Sequence, residues 1–447
     1  MSELKRDDGL DHSLVMPYMT GVYLGINAIR DAYLVVDGPN CVFFRTAQIQ
    51  GNHDWHSSLV ECTGLHRVID TDCTTERAAA GDQDLLRSRL QQVDAIDACH
   101  MILLTAMSPV AVTAPQYDKV LKSLPRALSK PVIQVRSGSL SGDWLHGYAA
   151  LLASLASGIE LQTGTGLDDD EVAIVGYLMD RNESDHTANL DELTRLLAGI
   201  GLRVTSFWLG GKGVSDLAAA GRAGTILALP YGRNAASLLA GRTGARLVEC
   251  GLPIGPEATC EWLLQIGKAT GREDRARVVI DEHMRRVVPR LEWILPHAFV
   301  NKRIAMLGSD PFLIKALSRV LGEFGCRQEL VALFSHKEHV DLVTDELGDD
   351  VLGAQFLYNP GQEELRKVFE KLQLEESLDL ALCNSRVLPL LAGGQQRLPF
   401  MELGFPSYYT HALYDSPFMG FSGTLRLIER MANTMSNAAA LPAGSST

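Results

Sequence analysis

The strongest constraint on the fold is a unit that occurs twice: an apolar run ending in glycine, an amphipathic stretch closed by glycine, and a second apolar run. "VAIVGYL" (172–178) leads to "NLDELTRLLAGIG" (189–201) and then to "LRVTSFWLGG" (202–211). "KRIAMLG" (302–308), "DPFLIKALSRVLGEFG" (310–325) and "CRQELVALF" (326–334) repeat the order. Short runs that are apolar at consecutive positions suit strands covered on both faces, as in a parallel sheet flanked by helices. In the first unit the spacing predicts a helix capped by Asn189, with positions 190, 193, 196, 197 and 200 on its apolar face and Gly201 at its end. Strand, helix, glycine, strand is the right-handed βαβ unit of doubly wound sheets.

The N-terminal third carries looser versions of the same signal: "AYLVVDGP", "ACHMILLTAMSP" and "KPVIQVRSGSLSG", each an apolar strand ending in small or turn residues. At 447 residues the chain is too long for one ordinary core. The reading is an α/β protein of three Rossmann-like domains with mostly parallel sheets, at 1–165, 166–298 and 299–435, followed by a disordered tail at 436–447. The charged stretch from Arg272 to Val300 is expected to be a long helix joining the second and third domains.

Crevices for ligands lie at the carboxyl ends of such strands. Here those ends include Asp37-Gly38-Pro39, Thr105-Ala106, Ser137-Gly138-Ser139, Gly176, Gly308-Ser309 and Asn384-Ser385. None forms a dinucleotide fingerprint or a P-loop, and "GGKGVSD" (210–216) lacks the P-loop spacing, so no nucleotide is expected on this chain. A net charge of −13 without a basic block argues against a nucleic-acid partner. The polar start "MSELKRDDGLDHS" is no secretory signal and no apolar run reaches membrane length, so a cytoplasmic protein without a membrane partner is expected. Eight cysteines occur without any C-x-x-C pair, which disfavours a zinc site made within the chain, and in the reducing compartment expected here they should not form a disulfide framework. Cys99, Cys250, Cys326 and Cys383 lie in or beside apolar strands and Cys260 on the apolar stripe of a helix, so these read as core.

Cys41 is the exception, since "VVDGPNC" sets a thiol just past a strand-end turn, where it is either a small core residue or a ligand. Four stretches taken together resemble the component 1 family of nitrogenase and nitrogenase-like enzymes. They are "VVDGPNC" with "DTDCTTERAAAGDQDLLRSRL" (70–90), "SGSLSGDWLHGYAALLASLASGI" (137–159), the run 189–267, and "RLPFMELGFPSYYTHALYDSPFMGFSGTLRLIERMANTM" (397–435). The resemblance covers about the whole chain in order. It implies a three-domain subunit of an α/β heterotetramer, an iron–sulfur cluster at the subunit interface, and a dimeric ATP-dependent iron protein that delivers electrons.

The same resemblance implies which residues hold the cluster. Of the three cysteines of the nitrogenase β subunit, the first aligns with Cys41; the second falls at Ile69, flanked by Cys62 and Cys73; the third falls at Ala106, with Pro109 where a glutamate belongs. Ser137 and Ser139 stand where that subunit offers a serine oxygen. The ligand positions of the α subunit's large cofactor read Pro230 and Met419, so that cofactor is not expected here. The implied role is a β-type subunit that shares a [4Fe–4S] or larger cluster with an α-like partner, using Cys41 and, as substitutes for the missing thiols, Cys73 and Cys62. A cofactor-assembly scaffold subunit and a cluster-free structural partner are the alternatives.

Other polar features remain. "NHDWHS" (52–57) places His53 and His56 in an H-x-x-H pair that lacks a third ligand, and reads as a surface or interface loop or a metal site. Arg45 and Arg136 either offset the charge of a cluster or pair with Asp37 or Asp72. His146 and His411 are expected to hydrogen-bond at the subunit interface.

Overall fold

The computed structural model describes residues 14–60, 66–124, 126–138, 140–162, 166–347, 354–375, 378–391 and 398–440. Its strands form three all-parallel sheets flanked by helices. The first holds β1 (Ala32–Asp37), β2 (Val68–Asp70), β3 (Met101–Ala106) and β4 (Val132–Gln134) in the order β2-β1-β3-β4. The second holds β5 (Asp168–Val175), β6 (Arg203–Phe207), β7 (Ala223–Ala228) and β8 (Arg246–Glu249) in the order β6-β5-β7-β8. The third holds β9 (Arg303–Gly308), β10 (Arg327–Leu333), β11 (Gln355–Tyr358), β12 (Leu380–Cys383) and β13 (Phe400–Glu402) in the order β11-β10-β9-β12-β13. β1, β3 and β7 are buried along their whole length, as strands covered on both faces must be.

Strand order reverses once in each sheet, between β1 and β3, β5 and β7, and β9 and β12, and each reversal is a potential ligand crevice. Two are closed. A Cβ on Gly176, after β5, would lie 2.4 Å from the Gly232 backbone nitrogen, so the loops of the second sheet touch main chain to main chain. At the third sheet Asn384 bonds Ser309 and the Phe405 carbonyl, leaving a cavity of about 10 Å³, too small for more than one water.

The helix Trp144–Gly158 ties the sheets together. It packs on the helix Tyr18–Asn27 with glycines at the crossing: a Cβ on Gly21 would lie 1.7 Å from the Trp144 carbonyl, and one on Gly147 2.0 Å from that of Tyr18. Fully buried Trp144 donates its indole N–H to Ser309 O (3.1 Å) beyond β9, and fully buried Tyr148 its hydroxyl to Tyr177 O (2.8 Å) beyond β5.

Two helix ends differ from the sequence reading. The helix of the second domain starts at Ser184, not after Asn189, because Asn189 has been drawn inside to bond another segment. The closing helix runs from Gly420 to Ala440, past the expected start of the tail at Ser436, since "NAAA" favours helix. The stretch from Arg272 to Val300 is helical in two pieces, Glu273–Leu291 and Ile294–Ala298. No described helix is long and apolar enough to cross a membrane.

Candidate functional site at the first sheet

The crevice between β1 and β3 is the one that opens on a thiol. β1 ends at Asp37, and the turn after it is tied from three sides: Thr71 Oγ1 accepts Gly38 N (3.0 Å), Cys73 N donates to Gly38 O (3.0 Å), and Met107 N donates to Asp37 O (3.0 Å). The Asp37 carboxylate is buried and accepts hydroxyls from Thr71 (2.8 Å) and Tyr117 (3.1 Å). Burial raises its pKa against the pull of those two hydrogen bonds. Chain leaving this turn enters the helix Cys41–Ala47, whose first residue carries an exposed thiol with Sγ 3.9 Å from Met107 Sδ. Tyr23, in the helix Tyr18–Asn27, is 1% exposed and its hydroxyl has no hydrogen-bond partner. Burial raises the Tyr23 pKa well above the usual range, with the charges of Cys41, Arg45 and Asp70 as lesser causes.

The companion positions are apolar. Ile69 pairs with Val35 and packs under β1 in the layer of Leu86 and Leu90. Ala106 is buried with Cys73, Ala78 and Val110, and its carbonyl accepts Ser137 Oγ (2.8 Å). Cys73 is brought beside the turn but faces inward, Sγ 3.6 Å from Thr74 O, and burial followed by the Asp37 charge pushes its thiol pKa up. Cys62 and Ser139 lie outside the described residues. Arg45 and Arg136 do not pair with Asp37, whose oxygens are taken by Thr71 and Tyr117. Burial holds the thiols of Cys99 and Cys260 up at about 11 and those of Cys250, Cys326 and Cys383 at about 12, so they stay protonated; Cys260 and Cys326 are only half-buried. The segments that follow β1, β3 and β4, at the same edge of the parallel sheet, expose large apolar side chains: Phe44 (69%), Val112 (66%) and Leu140 (74%).

In the "NHDWHS" stretch Asn52, Trp55 and His56 are exposed, as a surface loop requires, while both ring nitrogens of His53 meet main-chain groups. His53 and Asp54 are buried and clasp three segments. His53 Nδ1 accepts Ser407 N (2.8 Å), which leaves Nε2–H to donate to Asp180 O (2.9 Å). Asp54 Oδ2 accepts Asn27 Nδ2 (2.6 Å) and Asn182 N (3.0 Å), and Oδ1 accepts His56 N (2.9 Å). Beyond it the junction continues: Asp180 Oδ1 lies 2.9 Å from His186 Nε2, His186 Nδ1 meets Tyr177 OH (2.8 Å), and Asn189 Nδ2 donates to the same hydroxyl (3.0 Å). Asn189 Oδ1 then accepts Phe418 N (2.8 Å) and Met419 N (3.0 Å). His411 and His146, expected at a subunit interface, bond within the chain, His411 to Glu183 (2.6 Å) and His146 to Asp143 (2.8 Å). Met419 is buried, and Pro230 opens a turn whose Tyr231 hydroxyl donates to Asp310 (2.6 Å), so this interior is filled by the chain itself. Sequence reading missed Asp180, His186, Met107 and Tyr23, none of which sits in a local pattern.

Three parallel sheets flanked by helices and joined at a buried polar junction define the class, an α/β protein of three Rossmann-like sheets with an exposed thiol just past the first strand of the first sheet. Within that class the chain belongs to the family of nitrogenase component 1 type oxidoreductases, which matches residues 18–436. It is 25% identical over 340 residues to the nitrogenase vanadium-iron protein beta chain of Trichormus variabilis, covering 72% of each chain. It is 24% identical over 344 residues to the nitrogenase iron-molybdenum cofactor biosynthesis protein NifN of Bradyrhizobium diazoefficiens, covering 71% of this chain and 67% of that one. The nitrogenase molybdenum-iron protein alpha chain of Methanococcus maripaludis is 22% identical over 388 residues, or 82% of this chain and 73% of that one. The solved structure of nitrogenase Cp1 at pH 6.5 shares the fold, with a TM-score of 0.78 at 17% identity over 96% of this chain and 93% of that one.

Proposed function

We propose that the chain is the β-type subunit of a nitrogenase-like, ATP-dependent two-component reductase in the cytoplasm, and that Cys41 is its ligand to an iron–sulfur cluster shared with an α-like partner. One observation carries the reading: an exposed thiol just past the end of β1, 3.9 Å from Met107 just past the end of β3. The residues present fit such a group, since a thiolate is the ordinary cluster ligand and the orphaned Tyr23 hydroxyl is a donor awaiting an acceptor nearby. When bound, the cluster supplies one-electron transfer at a potential set by its ligands and hydrogen bonds. The Asp37–Thr71–Tyr117 bonds hold the turn that aims Cys41, and Met107 excludes water from one side of its sulfur. Phe44, Val112 and Leu140 supply apolar surface for the partner to cover. Among the described residues Cys41 is the one exposed thiol at the site, so the remaining ligands fall to the α-like chain, with Cys62 as a substitute from this chain. The dimeric iron protein hydrolyses the ATP, and substrate reduction belongs to the partner's site.

A second reading, a cofactor-assembly scaffold subunit, is favoured by Ile69 and Ala106 in place of two thiols and by the similarity to NifN. Anaerobic co-purification with the α-like chain, followed by turnover with iron protein and ATP, separates the two. Substrate reduction supports the reductase. An iron-loaded complex that reduces nothing supports the scaffold, and an iron-free complex leaves the structural partner.

A further inference from the structure

Cysteine spacing disfavours a zinc site, but folding gathers a different donor set that does not include Cys41. Asp143 and His146 open the helix Trp144–Gly158, while His336, Glu338 and His339 sit where β10 hands over to the helix Lys337–Leu347. His146 Nε2 comes within 3.3 Å of Glu338 Oε2 across 192 residues of sequence. The His336 ring stands 4.8 Å from that of His146, nearly perpendicular at 89°, and the ligand atoms of His146, His336 and Glu338 all lie within 4.8 Å of one another. In a tetrahedral site with bonds near 2 Å, donor atoms sit roughly 3.3 Å apart.

The surroundings are arranged as a metal site requires. Asp143 Oδ1 lies 2.8 Å from His146 Nδ1, the shorter of two contacts at that nitrogen (the other is Asp143 N at 3.3 Å). A proton held on Nδ1 leaves Nε2 as a lone pair facing Glu338, the carboxylate–histidine arrangement found behind metal-bound imidazoles. Asp143 Oδ2 also accepts Ser335 Oγ (2.6 Å) and His336 N (2.8 Å), which offsets the positive end of the helix that follows. Lys337, between two of the donors, is turned away and paired with Asp341.

We propose that His146, His336 and Glu338 bind a divalent transition ion of the Zn²⁺ class, with Asp143 orienting His146 and an open position left for water. Two imidazoles and a carboxylate are a donor set suited to that ion. Its effect is to staple the first sheet's closing helix to the third sheet.

The test is equilibrium dialysis of the full-length chain, stripped with chelator, against micromolar Zn²⁺, with bound metal counted. Wild type should retain one Zn²⁺ per chain and gain thermal stability with rising Zn²⁺. Glu338→Gln, at an exposed position, and Glu338→Gln with His336→Ala should weaken binding by at least about 10-fold and 100-fold. Added Co²⁺ should give wild type, but not the double variant, a visible absorption of tetrahedral type. No stoichiometric Zn²⁺ on wild type, or equal binding by both variants, overturns the proposal and leaves His146 as a bridge between two carboxylates.

Discussion

Cys41 and Cys73 flank one turn, yet they differ in what matters for ligation. Cys41 is exposed, while Cys73 packs against Ala78, Ala106 and Val110 beside a buried carboxylate, where a thiolate is disfavoured. Cys73→Ala should therefore cost about 1 kcal/mol of stability and leave the iron content of the complex unchanged. Iron lost with Cys73→Ala would place that thiol among the ligands. Glu323 gives a second test at this scale. Burial, and after it the charge of Glu257, pushes its carboxyl up to about 7, although Arg319 Nε lies 3.5 Å away. Its unfolded value is about 4.3, so the stability it contributes is full below that pH and is lost as pH rises through 7. Glu323→Gln should match wild type near pH 4 and melt higher above pH 7; parallel melting curves across that range would contradict this. That Cys41 is not a core residue was legible, because a thiol at a strand-end turn is unusual for packing alone, and the structure leaves it exposed. His53 was not, since its decisive partner, Ser407, is 354 residues away and no local pattern announces it.

Elements were legible where periodicity is strict. β6, β9 and β10 fall within the apolar runs read for them, while β5 overlaps its run at 172–175 and begins earlier, on the exposed Asp168–Asp170 read as linker, because parallel pairing rather than burial holds those residues. Asn189 misled because a side chain suited to capping was used instead to hold Phe418 and Met419. The helix crossing at Gly21 and Gly147 allows no side chain, so Gly147→Ala must push Tyr18–Asn27 away from Trp144–Gly158. A loss of about 1–3 kcal/mol or more in denaturant melts is expected, and an unchanged midpoint would refute the close crossing. The junction Asp180–His186 is a buried ion pair. Burial alone would raise the Asp180 carboxyl and lower His186, but their mutual attraction reverses both shifts. Asp180 then stabilises above its unfolded value of about 3.9 and loses that as pH falls. His186 stabilises fully below about 6.5 and loses it as pH rises through its raised value. Asp180→Asn strands a buried imidazolium and should cost about 3–5 kcal/mol near pH 6.

At the scale of the whole molecule, three doubly wound sheets could each bind at their switch points. Gly176 against Gly232, Asn384 against Ser309 and Gly38 against Met107 pack all three closely, and among the described residues the first carries the exposed thiol, Cys41. That packing is tertiary and could not be read from strand ends alone. Phe44→Asp with Leu140→Asp, both at exposed positions, should leave the chain folded while reducing co-purification with the α-like partner. The most direct measurement is the iron content and EPR spectrum of the anaerobically purified complex carrying Cys41→Ala. The wild-type complex should show stoichiometric interfacial iron and a reduced-cluster signal, and Cys41→Ala should lose or markedly alter both while remaining folded and assembled. Full iron and an unchanged spectrum in Cys41→Ala would contradict the role given to this thiol.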